Sequence, residues 1–96
     1  MSYQLLEASD VISPLLPPEA IIVREDTEIQ VGDFVKIAVK SGPVKEIFWA
    51  TVYALDKDTG KFGVHINQDL RFTLYHELRD GDSLAVKRKN IIAVIK

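Results

Sequence analysis

Apolar and polar residues alternate along three stretches of the chain. Val35, Ile37 and Val39 alternate with Lys36 and Ala38; Phe62, Val64 and Ile66 alternate with Lys61, Gly63, His65 and Asn67; and Leu84 and Val86 stand between Ser83, Ala85 and Lys87. Period two is the mark of a strand with one face against a core. Two of these strands open on the same phrase, Gly32-Asp33 before the first and Gly81-Asp82 before the third. Glycine reaches backbone angles closed to other residues, and aspartate hydrogen-bonds nearby backbone, so each phrase predicts a tight turn that launches a strand.

Between the first two alternating stretches, Glu46 to Leu55 is rich in β-branched and aromatic residues, with neither parity clearly polar. It reads as a central strand covered on both faces, with Trp49 in the core. Ser41-Gly42-Pro43 marks the turn before it, and Asp56-Lys57-Asp58-Thr59-Gly60 a hairpin turn after it. Gln68 to Arg79 fits both periods, at Phe72, Tyr75 and Leu78 or at Leu70, Phe72 and Leu74, and is expected to be a loop with one helical turn. Asn90 breaks the chain before a terminal apolar strand, Ile91 to Ile95. Upstream, Leu5, Leu6, Val11 and Ile12 fit one or two turns of amphipathic helix that Pro14, Pro17 and Pro18 stop, and Ala20 to Arg24 fits a short strand.

Together these elements predict a mainly β fold, a small, strongly bent antiparallel sheet or SH3-like barrel of five or six strands with an N-terminal arm. Residues 1–30 form the acidic, proline-containing arm and residues 31–96 the β domain. Val35, Ile37, Val52, Phe62, Val64, Leu84, Val86 and Ile92 are expected to share one core.

Ninety-six residues fit one domain and one core. Cysteine is absent, which excludes disulfides and thiolate chemistry. No apolar run approaches the roughly 20 residues that span a bilayer, and the N-terminus lacks the basic region of a secretory signal, so a cytoplasmic protein with no membrane partner is expected. Charge is unevenly placed. Up to Gln30 there is one basic residue against six acidic ones, and from Val31 onward eleven against eight. Such asymmetry suits docking of the arm on its own body or on a basic partner.

With these residues in view, the stretch from Val31 to Val94 resembles the bacterial YegJ-like family of small β domains. The resemblance lies in Gly32-Asp33 with Val35-Lys36, the Glu46, Trp49 and Val52 strand, Gly60 with Phe62-Gly63, Asn67, Leu78 with Gly81-Asp82, and Ile91. It implies a compact β domain and carries no activity with it. The arm lies outside the pattern.

No constellation of catalytic residues is visible. Asp56 and Asp58 echo the start of a calcium loop, but Gly60 and Asn67 stand where that loop needs oxygen ligands, so a plain turn without metal is expected. His65 and His76 are read as two solvent-facing histidines, although Asp69 and Glu77 stand near them in sequence. Ser41 and Ser83 lack a nucleophile elbow, and no phosphate loop exists. No cofactor is expected. The candidate contact residues are Leu15, Leu16 and Pro17, within a P-x-x-P spacing, and the basic run Lys87, Arg88 and Lys89. They give a non-enzymatic module that binds another protein. The alternatives are a weak nucleic-acid-binding barrel, with Phe34, Trp49, Tyr53 or Tyr75 beside the lysines, and a hydrolase with an unrecognised site.

Overall fold

A computed structural model describes residues 3–11 and 16–96. Seven strands form one antiparallel sheet: β1 Gln4–Leu5, β2 Ile21–Ile22, β3 Phe34–Ser41, β4 Val44–Asp56, β5 Lys61–Ile66, β6 Ser83–Lys87 and β7 Ile91–Ile95. Their order is β2-β7-β3-β4-β5-β6, with β1 paired to the far end of β3. Among the described residues the sheet is not closed into a barrel. Among the described residues no helix is long and apolar enough to cross a membrane.

The two Gly-Asp phrases form the same turn twice, bond for bond. In the first, the Asp33 N–H donates to the Gln30 carbonyl (3.1 Å) while the Gln30 N–H donates back to Asp33 Oδ2 (2.9 Å). In the second, Asp82 N–H reaches the Arg79 carbonyl (3.1 Å) and Arg79 N–H reaches Asp82 Oδ2 (2.9 Å). The carboxylate therefore closes the turn backwards by three residues. Gly32 and Gly81 take φ of 97° and 89°, open to glycine and strained for other residues. Each turn is then riveted to a neighbouring strand. Gly32 N–H donates to the Val52 carbonyl and Val52 N–H to that of Asp33; Gly81 and Asp82 repeat this with Ile66. The repeat thus fixes register, setting β3 against β4 and β6 against β5.

The hairpin turns follow their chemistry too. Gly42 and Pro43 are the two residues between the paired Ser41 and Val44, with Gly42 at φ 57°. After β4, Asp56 Oδ1 accepts from the N–H groups of Asp58 and Thr59, and Gly60 N–H donates to the Asp56 carbonyl. Hydrogen bonds from Thr59, then from the Asp58 backbone, hold the Asp56 carboxyl below its ordinary value. The carboxylate that would begin a calcium loop is the one that shapes the turn.

One face of the sheet, the inner face, carries the main core, including Val35, Ile37, Phe48, Val52, Phe62, Val64, Leu84 and Val86. Ile92 is not among them, contrary to the one-core expectation. The register between β3 and β7 slips, pairing Lys36 with Ala93 but Ile37 with Ile91, so Ile92 is an extra residue turned to the other face. There it joins Ala38 and Ala93 in a second cluster, covered by Leu6, Ala8, Val11, Leu16 and Ala20. Trp49 also lies half-buried on this outer face with Lys36 4.9 Å above its ring, a correction to its reading as core. β4 is central in the sheet, but its burial alternates instead of covering both faces equally.

The arm is integrated into this structure. Leu5 pairs with Val39 as strand, and the expected amphipathic helix reduces to one 3₁₀ turn at Ala8–Asp10. Leu5, Leu6, Val11, Leu16 and Val23 of the arm rest on the protein's own sheet, Ile29 enters the main core, and Ile21 and Ile22 stay exposed. Asn90 ties arm to body: its amide donates to the Leu6 carbonyl (3.1 Å) and its Oδ1 accepts from Lys87 N–H (2.9 Å). Asn90→Leu would orphan both backbone groups, and a loss of about 1–3 kcal/mol is expected in chemical denaturation.

Candidate interaction surfaces

The buried ionisable pair of the fold is Glu46 with His76. Glu46 sits at an inward position of β4, in parity with Phe48, Ala50 and Val52, and faces the loop 67–78. Its carboxylate accepts from Arg71 N–H (2.5 Å), Phe72 N–H (2.9 Å) and His76 Nε2 (2.7 Å). On the other side of the ring, His76 Nδ1 accepts from Leu78 N–H (3.0 Å), so the proton stands on Nε2. Burial alone would push the Glu46 carboxyl up, but the His76 bond and the two backbone bonds outweigh it and hold it below its ordinary value. The expectation of a solvent-facing His76 is overturned, since it is 2% exposed.

This pair places the loop. One helical turn, Thr73–His76, presents the imidazole, and Glu77 leaves it at φ 65°. Left-handed backbone costs a non-glycine residue on the order of 1–2 kcal/mol. Glu77→Gly is therefore expected to be neutral or stabilising by thermal melting, and a marked loss would mean that its side chain matters more than its backbone. His76 Nε2 donates to the Glu46 carboxylate and Nδ1 accepts from backbone, while both Glu46 oxygens accept from the backbone of the loop. The pair positions a segment.

The sequence-nominated contact residues do not come together. Lys87 lies exposed on β6, directly across from Lys61. Arg88 turns the other way, donating to the Arg24 and Thr27 carbonyls with its guanidinium over the Phe62 ring. Lys89 stands 3.9 Å from Glu7. The basic run divides three ways, because a 3₁₀ turn at Arg88–Asn90 rotates successive side chains apart. Leu16 packs on the second cluster and the Pro17 carbonyl accepts from Ala20 N–H. Leu15 lies outside the described residues, as does the side chain of Tyr75.

Two surfaces stand out. One is the outer face of β3 to β6, where Phe34 and Tyr53 are 41% and 46% exposed. Tyr53 stacks on exposed His65, ring centroids 4.1 Å apart and 13° from parallel, while His65 Nδ1 meets the Ser83 hydroxyl at 2.8 Å. Gly63 makes room, for a Cβ there would come within 2.8 Å of the Tyr53 ring. The other surface is the edge of β6, which opens on a groove of about 360 Å3 lined by Tyr3, His76, Glu77, Leu78, Asp82, Ser83 and Leu84. Burial there, and the Asp82 carboxylate beside it, push the Tyr3 hydroxyl above its ordinary range.

The sequence reading named the aromatic residues and missed the pair of Glu46 and His76. A glutamate on the apolar parity of a strand was the available signal. Among the described residues no group of three histidine or acidic side chains is placed to hold a metal ion. No protein-family model, curated protein or solved structure matches the chain.

Proposed function

We propose that the chain is a non-enzymatic, SH3-like interaction module that captures an extended segment of another protein along the edge of β6. The SH3-like reading is supported by the strand order β7-β3-β4-β5-β6, an antiparallel meander with a 3₁₀ turn directly before its last strand. The YegJ-like resemblance belongs with the same reading, since it implies a compact β domain and no activity. The non-enzymatic reading is supported by the engagement of Glu46 and His76 with each other and with the backbone of the loop.

The observation that carries the proposal is the one-sided pairing of β6. Among the described residues this strand bonds β5 on one flank and ends the sheet on the other. Lys87 N–H donates to Asn90 Oδ1 instead of to β5, so by alternation the N–H groups of Ser83 and Ala85 also point away from the sheet. A free strand edge is a template for one more strand. The adjoining groove carries the carboxylates of Glu77 and Asp82 and no lysine or arginine, which selects a segment with a basic side chain.

Ala85→Pro removes the outward N–H at a position where an edge strand tolerates proline. With a labelled peptide of about eight residues alternating Lys and Val, fluorescence polarisation should show at least about tenfold weaker binding to this variant at unchanged melting temperature. Equal binding to both proteins, or tighter binding of the Glu/Val counterpart, would overturn the proposal.

A further inference from the structure

The open outer face carries a second inference, independent of the β6 edge. We infer that this face binds single-stranded nucleic acid, with bases on its exposed rings and phosphates on its lysines.

The rings come first. Cross-strand pairing sets Phe34 opposite Thr51 and Thr51 opposite His65, so Phe34 and His65 flank a threonine in one row across the face. Tyr53 is the extra residue of the β4 irregularity, where pairing passes from Val52 to Ala54, and its ring lies over Gly63 against His65. A bulge that turns an aromatic ring outward, opposite a glycine that yields it space, builds a flat platform on an otherwise polar surface. Water gains nothing from such a platform, whereas a base stacks on it whatever its sequence.

The charges follow the same face. On one side of the rings Lys36 lies over Trp49. On the other, Lys61 and Lys87 stand directly cross-strand, an arrangement of like charges that disfavours the sheet. Asp56, across from Lys61, has its carboxylate occupied by its own turn. Of the other carboxylates, Asp33 bonds Lys96, Glu46 is buried in the loop latch, and Asp82 closes its turn. The face thus carries Lys36, Lys61 and Lys87 although the chain as a whole carries −2. Lysines on both sides of a stacking platform suit a strand that offers planes and phosphates together. An acidic peptide offers the charges without the planes.

The test uses the full chain with labelled oligothymidylate and oligouridylate of about ten nucleotides, read by anisotropy and by quenching of Trp49, the one tryptophan. Saturable binding is expected at 50 mM salt. With about three phosphates neutralised, the logarithm of the affinity should fall with the logarithm of salt at a slope of about −2. Tyr53→Ala should weaken binding at least about fivefold, and Lys61→Ala with Lys87→Ala should flatten the salt slope, both with the melting temperature retained. A duplex of equal length should bind less tightly, because its bases are already stacked on one another. Absence of binding at 50 mM salt, indifference to Tyr53→Ala, equal affinity for duplex, or equal affinity for polyglutamate would each overturn the inference, the last assigning the face to acidic peptides.

Discussion

Replacing Phe48 by alanine should cost about 3–5 kcal/mol in urea denaturation, while Trp49→Ala, one residue along, should cost about 1–2 kcal/mol. Bulk alone would predict the reverse order. Phe48 is fully buried on the inner face of β4, the largest side chain there with no exposure, and its removal leaves a cavity that the neighbouring strands hold open. Trp49 lies on the other face, half-buried under Lys36 at the margin of the second cluster. A domain of this size has roughly 5–14 kcal/mol of stability, so the first substitution removes a large share of it and the second leaves a folded protein. A larger loss from Trp49→Ala than from Phe48→Ala would mean that the inward parity of β4 is the opposite one.

That contrast marks how far the chain could be read without coordinates. The alternations at β3, β5 and β6 placed Val35, Ile37, Phe62, Val64, Leu84 and Val86 inward, because a strand's period is a local property. The Gly-Asp turns were equally local, each closing over four residues. What escaped the sequence depends on partners far along the chain. β1 is two residues long and too short to show a period; it exists because β3 offers it an edge, whereas the short strand read at Ala20 to Arg24 is present as β2. Ile92 changed face through a slipped register that only its pairing with β3 produces. The three-way division of Lys87, Arg88 and Lys89 follows from a 3₁₀ turn that has no apolar period to announce it. The aromatic residues of the outer face were named one by one, but their assembly required the cross-strand pairs.

Glu46 is the sharpest example, since its partner His76 is 30 residues away. Glu46→Ala strands two backbone N–H groups and the His76 Nε2–H without an acceptor in a buried site, and a loss of about 3–5 kcal/mol is expected. Glu46→Gln should lose less, because the amide oxygen still accepts while the amide nitrogen faces a donor. The native contribution also sets a pH dependence of definite sign. The folded carboxyl is held below its ordinary value by His76 and the Arg71 and Phe72 N–H groups, against the opposing effect of burial. The unfolded chain therefore takes up the proton first, near the unperturbed value of about 4.3. Stabilisation from this group is complete above that pH and is lost as pH falls toward the folded value. The denaturation midpoint of the wild type should thus drop on acidification below about pH 5 more steeply than that of Glu46→Gln, which has no proton to take up at this site. Hydrogen exchange locates the effect. The amides of Arg71 and Phe72 should lose protection in Glu46→Gln while those of β3 keep theirs, because the carboxylate holds the loop to β4 and the two Gly-Asp turns hold the sheet.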